Sequence, residues 1–172
     1  MSLFFSDSLK WRFTVSLIIT TILGPVLSMY VMKRRGMIAD LEMQQLRGRS
    51  IIFTVTALYY IITFMMLWDI EMPRVMNGLF IGMLITLILL AIISLKYKIS
   101  AHTAAMGGLC GLLLWIFSNY GIWEASWFMA AMFLTAIVAS ARLLLQAHSL
   151  DEVGSGYLLG GLSVFFSLYI LV

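Results

Sequence analysis

Apolar residues in this chain come in long uninterrupted runs rather than in alternation, and short polar breaks divide the runs. Six segments can be delimited, near Trp11–Met32, Ser50–Trp68, Val75–Leu95, Ala101–Phe117, Trp123–Ala141 and Val153–Val172. A helix rises about 1.5 Å per residue, so about 20 residues cross the hydrocarbon core of a bilayer. All six segments are long enough, the fourth only just. Backbone groups in lipid must be satisfied internally, so the segments are expected to be helices. The expected fold is all-α, a polytopic six-transmembrane-helix bundle, with residues 1–172 forming a single integral membrane domain. Pro25 lies inside the first segment and predicts a kink near Gly24-Pro25, whereas Pro73 suits the opening of the third helix. Trp11, Trp68, Trp115, Trp123 and Trp127 lie near segment ends, as interfacial anchors do. Gly107, Gly108 and Gly111 in the fourth segment, with Gly154, Gly156, Gly160 and Gly161 in the sixth, predict faces where two helices approach closely.

Composition narrows the class. Of 172 residues 62% are hydrophobic and 11% charged, too much apolar surface for a soluble domain to hide. The net charge of +3 is too small and scattered to suggest nucleic acid. A single cysteine, Cys110, excludes a disulfide framework. The first run has no small-residue cleavage site and is expected to be a span, not a cleaved signal peptide.

The parity of six spans puts the connections after the first, third and fifth on one side of the membrane. Those connections hold Lys33 to Arg49, Lys96 to Ser100, and Arg142 to Glu152, so one face gathers both histidines of the chain, His102 and His148. At the last junction Ser149-Leu150-Asp151-Glu152 fits a capping box, and a helix N-terminus with free N–H groups suits a phosphate. His148 and Glu152 are four apart, so the carboxylate can hold one imidazole nitrogen and leave the other free. Each residue also has a plainer role available. Glu152 can serve only as a cap, His148 as an interfacial donor to a carbonyl, Arg142 as a snorkelling cation, and Ser100 as the cap of the helix that carries His102.

Arg142, five residues, His148, three residues and an acid resembles the third signature of the type 2 phosphatidic acid phosphatase superfamily, Ser-Arg-x5-His-x3-Asp. Ile99-Ser100-Ala101-His102 resembles its second signature, Pro-Ser-Gly-His, and the six-helix topology matches as well. The resemblance spans about residues 33 to 165. It implies that His148 is the nucleophile that forms a phosphohistidine, that Glu152 orients it, and that His102 protonates the leaving group. Arg142, Ser100 and a cation of the first signature would hold the phosphoryl oxygens, with no metal or other cofactor. The sequence departs from the family pattern at several positions. Glu152 stands where the family has Asp, with Asp151 one residue early, Ile99 and Ala101 replace Pro and Gly, and Ala141 replaces Ser. In the first signature, Lys-x6-Arg-Pro, Glu42 occupies the Lys position and Ser50 the Pro position. Arg49 stands in for its Arg, Arg47 is the second choice, and Lys98 can supply the missing charge.

The expected function is therefore a lipid phosphate or pyrophosphate phosphatase whose substrate arrives from the bilayer, with membrane lipids as further partners and no nucleic acid. A catalytically impaired lipid-binding or scaffold protein on the same fold is the first alternative. A small transporter or assembly factor is the second, and the absence of mid-helix charges argues against it. The polar stretch Asp40–Gln45 is expected to roof the site. Of eleven cations eight lie on the site face, which by the positive-inside rule puts that face in the cytoplasm. Setting aside Arg49, Lys98 and Arg142 as ligands leaves five against three, while the resemblance favours the extracytoplasmic face of the plasma membrane.

Overall fold

The computed structural model describes residues 7–36, 46–67, 72–121 and 125–172. The expected Asp40–Gln45 roof, Trp68 and Trp123 lie outside the described residues, as does the side chain of Arg47. Among the described residues every regular element is helical. The elements are α1 (Asp7–Leu17), a π-helical turn (Ile18–Leu23), α2 (Gly24–Arg34), α3 (Leu46–Met66), α4 (Arg74–Ile93), α5 (Ala101–Tyr120), α6 (Ala125–Leu144) and α7 (Leu150–Leu171). The first three are continuous and form one span, Phe13–Arg34, so among the described residues six helices are long and apolar enough to cross a membrane. The chain is a multi-pass membrane protein.

Pro25 accounts for the π-helical turn. Its ring removes one donor and crowds the carbonyl four residues back, and a wider turn relieves that crowding. The N–H of Gly24 accordingly bonds the carbonyl of Ile19, five residues back. The hydroxyls of Thr20 and Thr21 donate to the carbonyls of Ser16 and Leu17, at 2.6 and 2.7 Å, so polar groups loosened by the register change stay satisfied in lipid. Gly24 is required for a different reason. A Cβ there would sit 2.5 Å from the ring of Tyr59, whose hydroxyl meets Ser28 Oγ at 2.9 Å and ties this span to α3.

The centre of the bundle is the pair α5 and α7. Between lipid-solvated helices there is little hydrophobic drive, so close backbone contact and interhelical hydrogen bonds hold them together. A Cβ on Gly107 would lie 1.9 Å from the carbonyl oxygen of Tyr157, and one on Gly160 would lie 1.8 Å from that of Ala104. Gly111 and Gly156 face Gly161 and Ser100 almost as tightly. Gly154, expected in the same stripe, faces open space. α4 packs on the other side of α7, with Ser167 Oγ donating to the Gly78 carbonyl at 2.8 Å, and α3 packs on α4, with Ser50 Oγ donating to the Ala91 carbonyl at 2.8 Å. α6 leans mainly on α5, with a lighter contact to α7, and buries only Ala131 among its described residues.

The tryptophans divide. Trp11 and Trp127 are exposed near span ends, as anchors should be. Trp115 is only 3% exposed and packs against Val164 and Leu168, so it is a core residue and the interfacial expectation is corrected. It lies on the face of α5 that turns to α7, a placement that distance from the helix end does not reveal.

The glycine contacts predict a graded result. Gly107→Ala and Gly160→Ala should each lower stability by about 1–3 kcal/mol, the usual range for overpacking. Gly154→Ala should be neutral or stabilising by up to about 1 kcal/mol, because alanine is the better helix former. Thermal unfolding in detergent checks the order.

Candidate functional site

Two short connections on one side of the bundle build the site. The first joins α4 to α5. The segment Lys98–Ser100 crosses the start of α7 as an extended strap, and the Ser100 N–H donates to the Glu152 carbonyl at 3.1 Å. Ser100 also caps α5, its hydroxyl accepting from the Thr103 N–H at 3.4 Å. Gly156 makes this seat possible, since a Cβ there would meet the Ser100 carbonyl oxygen at 2.3 Å.

The second connection joins α6 to α7. The N–H of Ala147 bonds the Arg142 carbonyl at 3.0 Å, and that of Gln146 bonds the Leu143 carbonyl at 2.9 Å. This is a Schellman ending, with Gln146 in the left-handed position at φ 50°. The His148 N–H also reaches the Arg142 carbonyl, at 3.3 Å. The spacing of six between Arg142 and His148 is thus the length of one helix terminator, which folds the second residue back beside the first.

The ring of His148 has a defined tautomer. Its Nδ1 lies 2.8 Å from Glu152 Oε2 and 3.2 Å from the Lys98 carbonyl. Both are acceptors, so Nδ1 carries the hydrogen and Nε2 the lone pair. Glu152 performs both tasks that its position offered. The same Oε2 accepts the Ser149 N–H at 3.2 Å, and Ser149 Oγ accepts the Glu152 N–H at 3.3 Å, which completes the capping box. The His148 side chain is only 5% exposed. Burial pushes its pKa below the ordinary value, outweighing the upward pull of Glu152, and the charge of Arg49 adds to the depression. The imidazole is therefore neutral in neutral solution.

Cations gather about the two imidazoles. Arg49, on α3, is 5% exposed; one Nη2 N–H donates to the Ile99 carbonyl and the guanidinium lies 5.6 Å from the centroid of Phe53. Arg142, His148 and Arg49 all act electrostatically on His102, which is exposed one residue inside α5. The charge of Arg49 is also felt by His148 and by Glu152. Among the described residues three buried side-chain polar atoms have no hydrogen-bond partner: Arg49 Nε, Arg142 Nε and Ser94 Oγ. All three belong to this end of the bundle. A buried donor left unmade costs about 1–3 kcal/mol, so such atoms mark a place where a ligand can supply acceptors.

The expected residues thus fall into three groups. His102, His148, Glu152, Arg142 and Arg49 come together. Ser100 is beside them but fully buried, its hydroxyl engaged in the cap. Lys98 contributes its carbonyl to His148, and its half-buried side chain stands at the same strap. The backbone carbonyls of Lys98 and Ile99 and the ring of Phe53 are site elements that sequence reasoning missed. The carbonyls carry no residue-type signal at all, and Phe53 is distinguished only by being one helical turn from Arg49. Chemically, the arrangement offers a nucleophilic nitrogen beside fixed positive charge and a second imidazole, which suits a tetrahedral oxyanion. Comparison with family models, with characterised proteins and with solved structures finds no match to this chain.

The depressed pKa of His148 has a thermodynamic consequence. Its folded value lies below its unfolded value of 6.5, so on acidification the unfolded state takes up the proton first. Its contribution is neutral above pH 6.5 and becomes destabilising as pH falls from 6.5 toward the folded pKa. Nitrogen-resolved NMR should show Nδ1–H and a free Nε2 at neutral pH. The His148→Gln protein should lose less stability on acidification than the native protein.

Proposed function

We propose that this protein is a membrane-embedded lipid phosphate or diphosphate phosphatase, similar to the type 2 phosphatidic acid phosphatases, that works through a phosphohistidine. One observation carries the proposal. The buried His148 ring has Nδ1 pinned by two acceptors and its Nε2 lone pair left over, beside two arginines with unpaired buried donors. Phosphoryl transfer needs this kind of positioning and fixed charge more than elaborate covalent machinery.

In the proposed reaction Nε2 of His148 forms a P–N bond as the P–O bond to the lipid alcohol, or to its inner phosphate, breaks. Protonated His102 gives its proton to the departing oxygen. Water then attacks the phosphorus, the P–N bond breaks, His102 takes the proton of the water, and inorganic phosphate leaves. Glu152 stabilises the imidazolium character of His148 throughout, and Arg142 and Arg49 face the equatorial oxygens. The resemblance implies no metal in this cycle.

A second reading has its own support. Arg49 spends a donor on Ile99 and Ser100 is buried in its cap, so two of the expected phosphate contacts are turned inward. That arrangement favours a protein which binds a lipid phosphate without turning it over.

Hydrolysis assays separate the two. His148→Ala should abolish turnover by several orders of magnitude, and His102→Ala should reduce it by roughly 10²–10⁴. Glu152→Gln keeps both acceptor roles but loses the charge. It should be at least about a hundredfold slower, roughly 2.7 kcal/mol of barrier, with an unchanged melting temperature. Asp151→Asn should be close to the native protein. Near-normal hydrolysis by His148→Ala refutes the nucleophile, and no hydrolysis by the native protein leaves the binding reading.

The proposed location is the plasma membrane with the site on the extracytoplasmic face, which the resemblance favours; with Arg49, Lys98 and Arg142 set aside as ligands, the opposing cation count falls to five against three. A reporter fused after Val172 lies opposite the site and should report the cytoplasm; a periplasmic signal reverses the assignment.

A further inference from the structure

Consecutive antiparallel helices joined by a short connection ordinarily pack on each other. Here α4 and α5, separated only by residues 94–100, barely touch, and each packs on α7 instead. The space between them is a cavity of about 410 Å³, with Val164 of α7 on its wall and the first span and α3 on its far side. On α5 it is lined from Ala101 to Leu112, and on α4 from Leu90 to Leu79. Eleven residues of helix correspond to about 16 Å, so the groove runs from the site end to roughly the middle of a bilayer.

One end is lined by Ala101, which lies between Ser100 and His102 of the site. His102, Ala105 and Leu109 are at i, i+3 and i+7 and so share one face of α5. Ala105 and Leu109 line the groove and are exposed, which opens it to the bilayer. Four hydroxyls also line it, and each has a partner. Thr21, Thr56 and Thr86 donate to carbonyls one turn back, and Tyr60 reaches Met83 Sδ. With its donors satisfied internally, the groove presents an apolar surface to any occupant.

We propose that this groove receives one hydrocarbon chain of the lipid phosphate whose headgroup lies at His102 and His148. The inference rests on the functional reading above and deepens it. At about 1.2 Å per bond in an extended chain, taken from the backbone reach per residue, the groove spans roughly thirteen bonds. Recognition therefore extends over about the first dozen carbons from the phosphate, and any second chain stays in the bilayer.

The test uses the full chain in phosphatidylcholine nanodiscs with dodecyl phosphate carrying a terminal diazirine, followed by mass-spectrometric mapping of the label. Label at Leu79, Leu112 and Val164, competed by unmodified dodecyl phosphate and not by dodecanol, is the expected result. Ala105→Phe, which fills the groove one turn below His102, should cut that label roughly tenfold. Label spread over α6 and over residues of the first span outside the groove, such as Ile22 and Val26, overturns the proposal. Groove label displaced equally by dodecanol overturns it as well, because the groove then holds ordinary bilayer chains. Phosphate-competed groove label without hydrolysis upholds the groove and overturns the phosphatase reading. The competition arm decides even where Ala105→Phe fails to fold.

Discussion

The contact between the backbones of α5 and α7 is the constraint on which the rest of the structure depends. Helices in lipid gain nothing from hiding apolar side chains from one another, so they associate where their backbones can approach. Gly107, Gly111, Gly156 and Gly160 permit that approach, and at each of them a Cβ would fall within 2.4 Å of an opposing backbone carbonyl oxygen. The same closeness brings the chain before α5 onto the first turn of α7, where Ser100 N–H meets the Glu152 carbonyl. Two histidines separated by 45 intervening residues then face one place. Separating the two helices would dissolve the candidate site without altering any single side chain in it.

The strap Lys98–Ser100 converts that packing into chemistry. Two consecutive peptide groups, 98–99 and 99–100, supply three backbone groups that serve three different parts of the bundle. The Lys98 carbonyl faces the imidazole of His148, the Ile99 carbonyl accepts from Arg49 on α3, and the Ser100 N–H is held by α7. Desolvated cations are expensive at the rim of a membrane protein unless they are paired. Arg49 meets that cost with a carbonyl, the face of Phe53 and the nearby charge of Glu152. Burial is the main reason that His148 is neutral, and the charge of Arg49 adds to it, since a second positive charge beside it would be repelled. The imidazole of His148, the carboxylate of Glu152 and the guanidinium of Arg49 are thus positioned together through one piece of main chain.

The remainder of the bundle is arranged around this core with unequal tightness. α7 is gripped from both sides by α4 and α5, whereas α6 and the first span lie at the periphery with most of their side chains turned to lipid. Because α7 separates α4 from α5, the gap beside it is a product of the same packing that forms the site. Its polar lining is neutralised by i−4 hydroxyl bonds, the device that also carries the first span through the register change at Pro25.

Much of this was legible in one dimension. The six spans follow from run length, because a bilayer imposes one length scale and helical hydrogen bonding on any chain that crosses it. The capping box at Ser149 and the pairing of His148 with Glu152 were also legible, since both are settled within one helical turn. Tertiary structure alone decided the rest. Trp115 and Trp127 look alike by position, yet one is core and the other faces lipid, because the facing of a helix is set by its partner. Gly154 and Gly156 are two residues apart, and only the second touches α5. Capping the helix and holding the imidazole are not exclusive at Glu152, since one carboxylate oxygen contacts both the Ser149 N–H and His148 Nδ1. The strap itself left no trace in the sequence. It acts through backbone carbonyls and an N–H, groups that nearly every residue possesses, and only the close approach of α5 and α7 selects which of them matter.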